Sequence, residues 1–171
     1  MWKRLKRLWR HRWLDEDDLS RVLPAAALER LGQRVAQGER GHTGQVRIHA
    51  EAGLPWSYLW REASPRERAL TLFGKLGVWD TEANNGVLIY LLLAERAIEV
   101  VADRGLARHV PEAQWRALVE RMAPHFRQGR FEEGLGLALE EVTRLLAQHF
   151  PAEAGQVRAN ELPDRPTFGE A

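Results

Sequence analysis

The sequence predicts an α/β fold: a three-layer α/β/α sandwich with a small mixed β-sheet, preceded by an amphipathic N-terminal helix. Three observations predict it. Val87 to Leu93 is a continuous apolar run, and Ile98 to Ala102 follows after about four residues, a spacing that suits an antiparallel hairpin of central strands. A third strand, Gln45 to Ala50, lies upstream and is separated from the apolar run by a helix-forming segment, which suits a right-handed parallel crossover. Apolar residues at helical spacing flank this core on both sides.

Taken in order, Met1 to Trp13 reads as a helix with Trp2, Leu5, Leu8, Trp9 and Trp13 near helical spacing and basic residues elsewhere. Asp15 to Asp18 forms an acidic turn. Pro24 suits the first turn of a helix over about Ala25 to Glu39, with Leu28, Leu31 and Val35 as its buried stripe. Gly41 to Gly44 is a loop. In the strand that follows, Val46, Ile48 and Ala50 face one way and Arg47 and His49 the other, which predicts an exposed face or edge. Gly53 to Trp60 reads as irregular. Ser64-Pro65-Arg66-Glu67 is a helix start with a capping box, and Ala69, Leu72, Phe73 and Leu76 form that helix's buried side. Two further helices span about Glu112 to Arg127 and Phe131 to His149. The expected organisation is a basic arm over 1–22, an α/β domain over 23–150 and an extended tail over 151–171 that lies on the body.

Composition narrows the function. There is no cysteine, which excludes disulfides, thiol nucleophiles and thiolate metal sites. The net charge of +1 conceals an asymmetry: Lys3, Arg4, Lys6, Arg7, Arg10 and Arg12 stand in a first segment without acids. Setting these six aside leaves 19 basic against 24 acidic residues, a charge of −5. The acidic body and the lack of an aromatic stacking platform argue against nucleic acid. No apolar run approaches the roughly 18 residues of a membrane span. The basic start has no following apolar core of a secretory signal. The expected location is the cytoplasm, with a peripheral place at the inner membrane if the arm binds lipid.

Connectivity predicts a site. The loops at His42-Thr43-Gly44, Asp80 to Gly86 and Asp103-Arg104-Gly105 converge on one edge of the sheet. Asp80, Glu82, Asn84, Asn85 and Asp103 are hard oxygen donors of the kind Ca²⁺ and Mg²⁺ prefer. We take Asp80, Asn84, Asn85 and Asp103 as candidate metal ligands, and His42, Thr43 and Arg104 as candidate substrate or anion contacts. The spacing is not that of an EF-hand, and an ordinary turn at Asn85-Gly86 accounts for part of the pattern. No P-loop, H-E-x-x-H, G-x-S-x-G or G-x-G-x-x-G is present. His11, His49, His109, His125 and His149 read as surface or helix-end residues. The arm, with Trp2, Trp9, Trp13, Arg4 and Arg7, has three readings. It lies on an anionic membrane, it docks into a partner or a second copy, or it folds back over an apolar patch of its own domain.

Several segments together resemble the TPM domain: Thr43-Gly44-Gln45-Val46-Arg47-Ile48, Arg66-Glu67-Arg68-Ala69, Val78-Trp79-Asp80-Thr81, Asn84 to Leu92, Glu99 to Gly105, and Phe126 to Phe131 with Gly134. The resemblance covers about Leu28 to Phe150, and the Trp-Asp-Thr before Asn-Asn-Gly resembles its proteobacterial branch. It implies an α/β/α sandwich. Relatives include thylakoid acid phosphatases, photosystem repair proteins and binders of calcium-like cations. Bacterial relatives are often encoded beside LemA-type membrane proteins, so such a protein or another TPM-domain protein is an implied partner. Relatives with a metal site commonly have an aspartate just before the first helix; here that stretch reads Arg21-Val22-Leu23-Pro24, with Asp15, Asp17 and Asp18 as the nearest acids. The carried-over acids are Asp80 and Asp103. Two functions follow: a cation-binding or protein/membrane-interaction module, and a metal-dependent acid phosphatase acting on phosphomonoesters.

Overall fold

The computed structural model describes residues 2–153 and 160–169; Met1 of the arm and 154–159 and 170–171 of the tail lie outside the described residues. The arm is a helix, α1 (Trp2–Trp13). α2 (Glu16–Val22) follows, started by a capping box in which Asp15 accepts from the Asp18 N–H. α3 (Ala25–Gly38) then leads to β1 (Val46–Glu51). A short helix, α4 (Trp56–Trp60), occupies the stretch expected to be irregular, and Pro55 is its N-cap residue. α5 (Pro65–Lys75) has the expected capping box, with Ser64 and Glu67 bonded reciprocally. β2 (Val87–Leu92) and β3 (Ala97–Ala102) are joined by a 3₁₀ turn and Arg96, whose positive φ closes the hairpin. α6 (Arg104–Ala107), α7 (Glu112–Arg127) and α8 (Phe131–His149) follow, and the tail adds β4 (Thr167–Phe168).

The strand order is β3-β2-β1-β4. β1 runs parallel to β2 and β4, and β2 runs antiparallel to β3. Alternation along the strands divides the interior into two layers. Val46, Ile48, Ala50, Val87, Ile89 and Leu91 pack with residues of α2, α3, α7 and α8. Leu88, Tyr90 and Leu92 pack on the other face against Leu54, Leu59, Ala69 and Leu72. The architecture is therefore an α/β/α sandwich on a mixed sheet.

One expectation about β1 is corrected. Arg47 and His49 are buried, not solvent-facing. They share a face with Leu88 and Tyr90 through the β1–β2 register. The returning tail covers them: Arg47 donates to the Pro163 carbonyl at 2.8 Å, and His49 Nδ1 lies 2.9 Å from Thr167 Oγ1. Alternation marks which way a residue points and not what covers that side. His11 stands in the last turn of α1, as a helix-end residue, and is buried.

α1 lies against the body through its polar face. Arg7 Nε donates to Glu95 at 2.7 Å, and Arg7 Nη2 donates to the Ala63 carbonyl at 2.6 Å. The Leu54 N–H donates to His11 Nδ1 at 2.9 Å, which leaves the ring proton on Nε2, 3.1 Å from Glu95. Burial alone would raise the Glu95 pKa, but hydrogen bonds from His11 and Arg7 outweigh it and hold it below the ordinary 4.5. A lowered folded-state pKa stabilises the docked arm above the unfolded value, and that stabilisation is lost as pH falls through the folded one. The protection of α1 amides, relative to their intrinsic exchange rates, is therefore expected to fall below pH 4.5 ahead of that in β2; equal retention of protection in both at low pH would contradict a role for Glu95 in holding the arm.

Candidate functional site

β1 and β2 begin, and β3 ends, at the same edge of the sheet. The three polar loops meet there. Asn85 Nδ2 donates to Thr43 Oγ1 at 3.1 Å, tying the second loop to the first. The Gly105 N–H donates to the Asn84 carbonyl at 2.8 Å, and the Asp103 N–H to the Gly86 carbonyl at 2.9 Å, tying the third to the second. Asn84 holds a φ of 51°, a left-handed conformation that asparagine tolerates better than most residues. A Cβ at position 105 would lie 2.4 Å from that Asn84 oxygen, so only glycine lets α6 start so close to the turn.

The side chains at this edge divide by burial. His42, Asn85 and Asp103 are buried. His42 Nδ1 donates to the Gly44 carbonyl at 3.0 Å, which holds its loop in shape. Asp103 caps α6: its Oδ1 accepts from the Arg104 N–H at 2.6 Å. The second oxygen, Asp103 Oδ2, is buried with no hydrogen-bond partner among the described residues, and so is Asn85 Oδ1. Asp80, Asn84 and Arg104 are exposed. The Asp80 N–H closes a turn onto the Gly77 carbonyl at 2.9 Å. Among the described residues, no three His, Asp or Glu side chains are grouped as a metal cage.

A second polar cluster sits at the far end of β1, where the sequence analysis placed no function. Glu51, Arg68 and Tyr90 are all buried. Arg68 Nε donates to Glu51 Oε2 at 3.0 Å, its Nη2 reaches Glu51 Oε1, and the Tyr90 hydroxyl donates to Oε2 at 2.7 Å. Burial would lower the Arg68 pKa, but hydrogen bonding and attraction from Glu51 raise it instead. Burial and the Glu51 charge raise that of Tyr90. His49, stacked 6.3 Å from Tyr90, has its pKa lowered by burial and stays neutral near pH 7. Glu51 also borders a cavity of about 530 Å³ between α1, α2 and α4, but Glu51 and His11 in its wall are already engaged. The signal that would have found this cluster is a charge in a strand paired with one on a capped helix, Glu51 with Arg68.

Fold and edge together define a small α/β/α domain with three loops gathered at one end of a mixed sheet. The chain belongs to the TPM domain family, whose model matches residues 17–145. Among solved structures it is similar to the BA42 protein of the psychrophilic bacterium Bizionia argentinensis, at 25% identity and a TM-score of 0.72, covering 85% of this chain and 94% of that one. It shares its fold with the N-terminal domain of a protein from P. gingivalis, at 22% identity and a TM-score of 0.61, covering 77% of this chain and 83% of that one. No curated protein matches.

Proposed function

We propose that this TPM domain is a binding module whose converged edge takes a hard divalent cation, Ca²⁺ or Mg²⁺. The observation that carries the reading is the two buried oxygens without hydrogen-bond partners among the described residues, Asp103 Oδ2 and Asn85 Oδ1. Leaving such acceptors unsatisfied away from water costs about 1–3 kcal/mol each, more for a charged one, and a cation removes that cost. Donor type fits: carboxylate and amide oxygens, completed by backbone carbonyls and water, are the usual shell of these ions. Asp103 is the one buried carboxylate at the edge, so the affinity is weak, with a Kd on the order of 10⁻⁴–10⁻³ M.

A Ca²⁺ or Mg²⁺ titration of the ¹⁵N-labelled chain tests this. Amide shifts are expected at Asn84 to Gly86 and Asp103 to Gly105, and Asp103→Asn is expected to weaken binding at least about tenfold, since it removes the only buried charge among the proposed ligands. Asp80→Asn should change little, because Asp80 is exposed. Shifts absent at about 10 mM metal would end the proposal. The phosphatase reading needs a second carboxylate beside the ion to hold metal and activate water. It is therefore the weaker one, and phosphomonoester turnover abolished by Asp80→Asn would revive it.

A further inference from the structure

Amphipathic surface helices normally turn their apolar stripe inward. α1 does the reverse. Its inner face is Arg4, Arg7, Leu8 and His11, with Arg4 paired to Glu62 and Arg7 to Glu95. Its outer face is Trp2, Leu5, Trp9 and Trp13, which are 87%, 49%, 59% and 72% exposed. Trp9 and Trp13 stack on each other at 6.0 Å, and on no ring of the body among the described residues. α4 lies alongside: one recess between the helices is lined by Arg4, Leu8 and Trp60, another by His11, Arg12 and Trp56. Trp56 and Trp60 are themselves 60% and 76% exposed. Five exposed tryptophans on two neighbouring helices are far from what solvation favours.

We propose that this face docks on an anionic lipid surface. Three features select lipid over other occupants. The apolar residues are nearly all tryptophan, whose indole combines an apolar body with an N–H donor and settles at the headgroup level. The stripe on α1 stands out as a ridge, with Trp2, Trp9 and Trp13 each more than half exposed. Of the cations outside the inner ion pairs, Lys6, Arg10 and Arg12 are exposed and carry no ion pair among the described residues. They flank the tryptophan stripe on both sides of the helix, while the chain beyond residue 13 has a charge of −5. A second copy docked through the same face would bring these three cations against their own images, which disfavours self-association. Anionic headgroups complement them, and the acidic body stays turned to solvent.

Flotation of the full chain with phosphatidylcholine vesicles containing about 30% phosphatidylglycerol tests the proposal, run in EDTA so that the cation reading cannot affect it. Expected is co-flotation with a blue shift of tryptophan emission, little binding to pure phosphatidylcholine, and release in high salt. Each cation near such a surface contributes about fivefold in affinity, so Lys6→Gln/Arg10→Gln/Arg12→Gln should lose about a hundredfold. Trp9→Ser/Trp13→Ser should weaken flotation and reduce the blue shift, leaving the part carried by Trp2, Trp56 and Trp60, without altering the urea midpoint, since both rings are exposed. Absence of flotation, equal binding to neutral vesicles, or undiminished binding by either variant overturns the proposal. A dimer in sedimentation that Trp9→Ser/Trp13→Ser dissolves, with no flotation, assigns the face to a second copy instead.

Discussion

Arg68→Met will destabilise the domain by about 3–5 kcal/mol, read as a lower urea midpoint at an unchanged slope. The magnitude follows from what the substitution leaves behind. Glu51 is 1% exposed and Arg68 3% exposed, so the substitution leaves a buried carboxylate without its counter-ion. Among the described residues the carboxylate would retain only the Tyr90 hydroxyl at 2.7 Å. Methionine restores most of the lost volume, so the deficit reports the uncompensated charge rather than a cavity. One further result separates these causes: Glu51→Leu/Arg68→Met should recover most of the stability, because a well-packed apolar pair often replaces a buried ion pair without loss. A double variant as unstable as the single one would mean that packing, not charge, sets the cost.

That cluster also marks where the sequence stops being legible. The mixed sheet could be read because connection length constrains strand direction: a helix between β1 and β2 requires a parallel crossover, and the few residues between β2 and β3 allow only a hairpin. Convergence of the His42, Asn85 and Asp103 loops followed from the same rule, and contacts such as Asn85 to Thr43 realise it. What could not be read is which polar residues the fold covers. Arg47 is covered by Pro163 and Thr167, more than a hundred positions away, and Glu51 by Arg68 on another element. β4 has two residues and no alternation to display, and α4 is a single turn whose tryptophans resemble an irregular stretch. The stripe on α1 was visible, but its direction was not. Helical periodicity identifies a face, and only Glu62 and Glu95 on the body decide that the basic side turns inward. Asp80 shows the same limit at the site: topology brought its loop to the edge, yet a turn onto Gly77 leaves the residue exposed.

Gly86→Ala is expected to cost about 3 kcal/mol, the upper part of the range for overpacking, and to disorganise the loop edge at the same time. A Cβ at this position would lie 2.0 Å from the Val78 carbonyl oxygen and 3.1 Å from its carbon. The obstacle is backbone, so no rotamer change relieves it. Val78 is itself fixed, fully buried and hydrogen-bonded to the Phe73 carbonyl at 3.1 Å. Relief must come from moving the segment that continues through Thr81, and Thr81 Oγ1 is what accepts the Asn85 N–H at 3.1 Å. Moving it displaces Asn85, one of the two residues with an unpartnered oxygen at the edge. Stability and the proposed cation response should therefore fall together. Gly74→Ala supplies the opposite sign: a Cβ there meets nothing within 4 Å, and alanine in a helix is worth about 0.5 kcal/mol over glycine. Urea midpoints that move in opposite directions for the two variants, with amide shifts at Asn85 and Asp103 confined to Gly86→Ala, are the expected result. If Gly86→Ala leaves both quantities unchanged, the close approach to Val78 does not hold the edge in place.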